Sequence, residues 1–275
     1  MSGESGEGVT GDTGGGSKDV AGDAGVARVA LVTGAAAGLG RGIALALSTA
    51  GFTVVVTARR LAAGAEVVAE ITARGGSGWA SECDVTSAES VRAAIEATVT
   101  RFGRLDAVVH NATSRRSSEP VDFERARPQL WREHADVSLT GSFTVAHAAY
   151  PHLRETRGAL LLLTSPAGMR GSANLSFYAG VKGAQRGFVK ALAREWGPSG
   201  VRVNGLAPLA VTPALASAFE ADPTMESRIA DKVPMRRVGD PETDIGAPAV
   251  FLCGAGSRYV TGQTLIVNGG RDTFL

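Results

Sequence analysis

Tyr178 and Lys182 place a phenol and an ammonium group four residues apart, and Ser165 stands upstream as a hydroxyl able to hydrogen-bond a reacting oxygen. Reduction of a carbonyl by hydride puts negative charge on oxygen, so a site for it needs a proton donor and a polarising hydrogen bond at that atom. Tyr178 is the donor in this reading. A free phenol has a pKa near ~10 and works near neutrality only when a neighbouring cation stabilises its ionised form. Lys182 projects on the same helical face and can supply that charge. Singly, a Tyr–Lys pair at this spacing is an ordinary pair of surface neighbours, and a Ser after a strand an ordinary cap or turn. What surrounds them decides between the two.

The surrounding chain alternates short runs rich in Val and Leu with longer segments of helical spacing, the pattern of a parallel sheet covered on both faces. Strands are predicted at Val29–Thr33, Thr53–Thr57, Gly78–Glu82, Asp106–His110, Ala159–Thr164, Val201–Leu206 and Thr264–Val267. Helices are predicted at Leu39–Ala50, Ala62–Arg74, Ala88–Arg101, Pro128–Arg154, Phe177–Gly197 and Asp240–Cys253. The expected fold is α/β: one Rossmann-like domain over residues 28–275, a doubly wound seven-stranded parallel sheet with helices on both faces. Residues 208–239 break the rhythm with Pro213, Pro223 and Pro234 around two amphipathic pieces, Ala214–Glu220 and Met225–Lys232. A long insertion after a late strand is placed to cover the crevice at the strand ends, so it reads as a helical lid over the substrate. Its Phe219, Met225 and Met235 suggest an apolar ligand of medium size.

Between the first strand and the first helix runs Thr33-Gly34-Ala35-Ala36-Ala37-Gly38-Leu39-Gly40. Small residues there permit a tight turn and let backbone N–H groups approach a pyrophosphate, so Gly34, Ala36, Gly38, Leu39 and Gly40 are candidate cofactor contacts. A glycine cluster alone is weak; its position gives it force. At the end of the second strand an acid would bind a ribose 2′-hydroxyl, whereas Ala58 is followed by Arg59 and Arg60, which can neutralise a 2′-phosphate. NADP(H) is therefore favoured over NAD(H). Asp84, followed by Val85, could meet the adenine amino group or cap the next helix.

These residues, with Asn111-Ala112-Thr113 after the fourth strand, Ser165 ahead of Tyr178-x-x-x-Lys182, and the ending Val267-Asn268-Gly269-Gly270, closely resemble the short-chain dehydrogenase/reductase family, its 3-oxoacyl-acyl-carrier-protein-reductase-like members in particular. The resemblance covers Arg28 to Gly270. It implies that Asn111 and Ala112 support the fourth strand and line the cofactor, that Lys182 also holds the nicotinamide ribose, and that Thr212, with Pro208 and Val211, lies beside the nicotinamide. It further implies a small carbonyl or alcohol substrate and a homo-tetramer or homo-dimer built through Pro128–Arg154 and Phe177–Gly197. Three positions depart from the family. Ser138 replaces an Asn that holds a water in the proton relay, and its hydroxyl offers fewer donors and a shorter reach. Thr113 and Leu209 replace glycines beside the cofactor, and Pro166 fixes the backbone after Ser165. A non-catalytic NADP(H)-binding protein, or a reductase of an enoyl or imine group, are the competing readings.

Bulk properties exclude other classes. Lys plus Arg number 28 against 27 for Asp plus Glu, which gives no electrostatic reason to expect nucleic acid or a membrane surface as partner. Cys83 and Cys253 fit neither a disulfide framework nor a zinc site and read as reduced core thiols. Residues 1–27, rich in Gly and Ser with five acids against Lys18, read as a disordered tail that is neither signal nor transit peptide, so the expected location is cytoplasmic. His110, His134, His147 and His152 share no metal spacing and read as structural or surface residues, so no metal is expected. Trp131 and Trp196 read as packing anchors.

Overall fold

A computed structural model of the protein describes residues 27–117 and 119–273; nearly all of the expected tail lies outside them. Seven strands form one parallel sheet: β1 (Val29–Thr33), β2 (Thr53–Ala58), β3 (Ser77–Glu82), β4 (Ala107–His110), β5 (Ala159–Leu163), β6 (Arg202–Pro208) and β7 (Thr264–Val267), in the order β3-β2-β1-β4-β5-β6-β7. Around it lie α1 (Gly38–Thr49), α2 (Leu61–Ala73), α3 (Ala88–Phe102), α4 (Pro128–His134), α5 (Gly141–Thr156), the short α6 (Ala167–Arg170), α7 (Ser176–Trp196), α8 (Pro213–Ala221), α9 (Met225–Ala230) and α10 (Gly246–Cys253).

Period-two alternation explains why the sheet is covered twice. Val29, Leu31, Val55, Val108, Leu160 and Leu162 pack with Val91, Ile95, Val145, Val189 and Trp196 of α3, α5 and α7. Their neighbours Ala30, Val32, Val54, Val56, Val109 and Leu161 pack instead with Ile43, Leu47, Val67, Ile71 and Leu252 of α1, α2 and α10. Strands β1, β2, β4 and β5 are buried throughout, whereas the edge strands β3 and β7 are only partly so. The chain order reverses between β1 and β4, which lie side by side with Thr33 opposite His110. That switch point is where an open α/β sheet leaves a crevice at the carboxyl ends of its strands.

Three differences from the sequence expectations concern helices. The predicted Pro128–Arg154 helix is one rod interrupted by a π-helical stretch, Ala135–Thr140. Ser138 lies in it, and its carbonyl accepts hydrogen bonds from Ser142 Oγ at 2.6 Å and Gln185 Nε2 at 3.0 Å. The last helix starts at Gly246 rather than Asp240, because Asp240 Oδ1 draws the amides of Glu242 (2.9 Å) and Thr243 (2.7 Å) into a turn. Pro166 does not merely stiffen the chain after Ser165; it opens α6, since its fixed φ suits a first helical turn. The excursion after β6 carries α8 and α9, and its base is closed by a parallel bridge between Ala210 and Gly239. Among the described residues no helix is long and apolar enough to cross a membrane.

Candidate active site

The ends of β1, β2, β4 and the start of α8 enclose a crevice of about 1040 Å³. Its lining includes Gly34, Ala36, Gly38, Leu39, Arg59, Arg60, Asp84, Val85, Asn111, Ala112, Tyr178 and Thr212. Most of the predicted cofactor residues are thus brought to one surface from segments far apart in sequence.

The turn at its floor is held by a clamp. Asn111 Nδ2 donates to the carbonyls of Thr33 and Gly34, both at 3.0 Å, and the Asn111 and Ala112 amides donate to Thr33 Oγ1 at 3.1 and 3.2 Å. These bonds lash the β4 exit to the β1 exit, the supporting role expected of Asn111. Gly34 adopts φ +63°, a left-handed conformation that favours glycine. Gly40 does not line the crevice but makes the clamp possible, because a Cβ there would come within 2.5 Å of Asn111 Nδ2 and of the Gly34 carbonyl.

At the side of the crevice, Asp84 does not cap α3; Ser87 does, accepting from the Ser90 amide. Asp84 Oδ1 instead accepts from the Thr86 amide (2.9 Å) and hydroxyl (2.7 Å), and these bonds hold its carboxyl below the ordinary range. It is therefore an ionised acceptor at neutral pH. Thr212 caps α8, accepting from the Leu215 amide at 3.2 Å.

Helix α7 brings Tyr178 to the crevice wall, whereas Lys182, like Ser165 and Ser138, is buried and does not line the crevice. Lys182, Gln185, Val189, Leu192 and Trp196 form its buried stripe, and the polar pair sits at the end of that stripe nearest the strand tips. Lys182 is 3% exposed; its Nζ donates to the Leu163 carbonyl at 2.6 Å and lies 5.8 Å from the centre of the Tyr178 ring. Burial pulls its pKa down to about 7. Ser165 beside the Tyr178 phenol favours its ionisation, but burial outweighs this and raises its pKa. The lowering expected from Lys182 is not what this geometry delivers, because the ammonium is turned toward Leu163 and the ring face rather than held against the hydroxyl. Ser165, nearly buried, also accepts from the Ala167 amide at 3.2 Å, so α6 fixes its direction.

Ser138 is fully buried, and its hydroxyl lies 3.3 Å from Thr113 Oγ1. Two of the departures from the family therefore touch each other. Pro208 ends β6, and Val211 donates its amide to Gly239 at 2.9 Å; neither lines the crevice. Of the histidines, His110 is buried with Nδ1 3.1 Å from Thr33 Oγ1, and burial reinforced by Lys182 lowers its pKa to about 3. Cys83 and Cys253 are both free and buried.

Sequence reasoning missed Ser114, Arg115, Ser117 and Glu133 in the crevice wall. The loop after β4 has no motif; only its abundance of polar residues between strand and helix could have drawn attention to it.

Comparison with known proteins agrees with this geometry. A family model described as enoyl-(acyl carrier protein) reductase matches residues 34–272. The 3-oxoacyl-[acyl-carrier-protein] reductase of Synechocystis is 34% identical over 250 residues, 90% of this chain and 98% of that one. A solved 7α-hydroxysteroid dehydrogenase complexed with NADH and 7-oxo glycochenodeoxycholic acid superposes with a TM-score of 0.82 at 33% identity, covering 89% of this chain and 94% of that one. A gluconate 5-dehydrogenase from Burkholderia cenocepacia in complex with NADP and tartrate gives 0.82 at 30% identity, covering 90% and 95%. With the seven-stranded sheet, and with the glycine turn and Tyr178 on one crevice, the chain belongs to the short-chain dehydrogenase/reductase family of nicotinamide-dependent oxidoreductases acting on alcohol and carbonyl groups.

Proposed function

We propose that the protein is an NADP(H)-dependent carbonyl reductase, able to run in reverse as an alcohol dehydrogenase, with Tyr178 as its proton donor. The observation that carries this reading is the placing of Tyr178, its ring 5.8 Å from the buried Lys182 Nζ, at the wall of a crevice that also holds Arg59 and Arg60. The crevice suits an extended dinucleotide: a glycine turn with free backbone approach, an ionised Asp84 able to accept from an adenine amino group, and two guanidinium groups suited to a 2′-phosphate. When bound, the reduced nicotinamide supplies hydride to the carbonyl carbon. Ser165 hydrogen-bonds the substrate oxygen, polarising it. Tyr178 releases its proton to that oxygen as the new C–H bond forms, and Lys182 would stabilise the phenolate left behind once its ammonium turns from the Leu163 carbonyl to the hydroxyl. The Ser138–Thr113 hydroxyl pair takes the place of an amide in the wall behind, where it braces the β4 exit against the π-helical stretch.

Replacing Tyr178 by Phe tests the reading. Loss of NADPH absorbance with a ketone panel should slow by about 10²–10⁴-fold while NADPH binding by fluorescence titration persists; undiminished turnover would sink it. Because the matched family model bears the name of an enoyl reductase, an activated double bond is the second candidate. Paired oxoacyl and enoyl thioesters separate the two, and the Ser165–Tyr178 pair at the oxygen site favours the ketone.

Self-association belongs to the same proposal. Phe143 on α5 is 58% exposed and stacks on His147 at 5.7 Å, an apolar plate on the helix that the family resemblance assigns to pairing. Sedimentation should show a dimer or tetramer, shifted toward protomer in Phe143→Glu; a protomer in the parent protein would refute it.

A further inference from the structure

The turn after β7 folds back onto α6. Its Asn268 is buried; Oδ1 accepts the Gly270 amide at 3.2 Å, and the backbone carbonyl accepts the Arg271 amide at 3.2 Å. Gly269 and Gly270, at φ +64° and +86°, allow the sharp bend that these bonds close. The bend carries Asp272 inward, where its side chain is 9% exposed. One carboxylate oxygen accepts from Asn268 Nδ2 at 3.1 Å, and the other lies 3.3 Å from Nε of Arg170, whose own side chain is 43% exposed. The acid is the shielded member of the pair, and neither residue lines the crevice.

Arg170 is the last residue of α6, which opens directly after Ser165. The start of α6 is bonded to that serine twice: the Ala167 amide donates to Oγ at 3.2 Å and the Gly168 amide to the carbonyl at 3.0 Å. The helix also lies against the backbone of α7, because a Cβ on Gly168 would come within 2.5 Å of the Gly183 nitrogen and of the Lys182 carbonyl carbon. A four-residue helix has too few bonds of its own to stay formed in water, so what grips it sets its direction. Here α7 supplies one grip and Asp272 the other. The same turn meets the excursion that carries α8 and α9: the Met235 amide donates to the Gly269 carbonyl at 3.2 Å, and Gly269 packs on Val233.

We infer that Asp272 is a positioning residue: by holding Arg170 it fixes the direction of α6 and, through the Ala167 amide, the aim of the Ser165 hydroxyl at the substrate oxygen. Asp272 itself touches neither substrate nor cofactor. The inference rests on the proposed carbonyl reduction for the role of Ser165, but the anchoring of α6 is measurable without turnover.

Asp272→Asn keeps the shape of the side chain and removes the charge that holds Arg170. Hydrogen exchange of the full-length protein should quicken severalfold at the Gly168, Met169 and Arg170 amides while the α7 ladder is unchanged. With a ketone, kcat should fall roughly tenfold and KM for NADPH should stay the same. Arg170→Gln should behave alike, the double substitution should be no worse than either, and Arg170→Lys, which keeps a cation there, should recover most of the loss. In a Ser165→Ala background Asp272→Asn should change kcat by less than about twofold, which a general loss of stability would not produce. Unchanged exchange across α6 overturns the inference, and so does a kcat loss that persists in full without the Ser165 hydroxyl. Faster exchange with undiminished turnover overturns it as well, provided Ser165→Ala alone is slow. Normal turnover in Ser165→Ala, with α6 exchange still responding to Asp272→Asn, removes the catalytic reading of Ser165 and leaves the anchor of α6 standing.

Discussion

The proposed nucleotide half of the crevice and the α8–α9 excursion proposed as its cover are built on opposite plans. Around β1, β2 and β4 the strands are buried throughout, and Asn111 is bonded to two carbonyls at once. In the cover, α8 and α9 contain no buried residue, and exposed pairs such as Arg228–Asp222 and Arg237–Asp244 do the holding. On the proposed reading, a frame that presents backbone N–H groups to a pyrophosphate tolerates no looseness, whereas a cover that admits a substrate must move. Rigidity here comes from exclusion of atoms; mobility comes from bonds that water can replace.

The sharpest way to break the contrast is Gly40→Ala. The added methyl would strike Asn111 Nδ2 and the Gly34 carbonyl, so stability should fall by about 1–3 kcal/mol and NADPH binding should be lost, read by thermal melts with and without cofactor. An unperturbed melt would show that the frame is not closed in this way.

Next in size is cofactor choice. Arg59→Gln/Arg60→Gln should reduce the NADPH-over-NADH ratio in kcat/KM by at least about tenfold with little change in stability, since both side chains are exposed. If the ratio holds, the 2′-phosphate is not read there.

A smaller, graded effect concerns pH. The folded pKa of Lys182 is about 7, well below its ordinary value, so its positive charge is lost as pH rises through about 7. On the proposed mechanism reduction needs that charge, so kcat/KM for the ketone should decline above this point, and Lys182→Arg, if it folds, should flatten the decline. The same depression makes the unfolded chain bind more protons than the folded one between about 7 and the normal lysine range, so this residue's contribution to stability rises with pH across that window. A pH-independent rate would separate Lys182 from the chemistry.

The smallest effect is expected in the cover. Arg228→Ala removes contacts to Asp222 (2.7 Å) and Thr224 and should cost under about 1 kcal/mol, leaving the melting temperature nearly fixed while KM shifts a few-fold. A large drop in melting temperature would mean the cover is part of the frame after all.

The contrast also explains what was legible in the sequence. Strand positions and the cofactor frame were readable because burial on both faces forces apolar runs, and a tight turn forces small residues; Val29–Thr33 and Gly34 to Gly40 carry both marks. The π-helical stretch left no trace, since Ala135–Thr140 keeps ordinary helical composition and its opening depends on Gln185 reaching across from α7. Likewise nothing near Ser114 or Glu133 marks them for the crevice wall; their meeting depends on how α4 returns over the β4 exit. Side-chain direction was equally hidden: Lys182 was placed correctly on the helix, but its bond to Leu163 is a tertiary fact.

The wide turn at Ala135–Thr140 has one more implication. A wide turn holds about one residue more than a regular one, and each residue turns an α-helix by about 100°. Excising a single residue there would bring the rod back to an ordinary ladder and swing Trp131 and His134 about the axis, away from Phe177, while the downstream rod and the sheet beneath kept their places. Ligand preference in such a scaffold can therefore drift through changes in length as well as in composition.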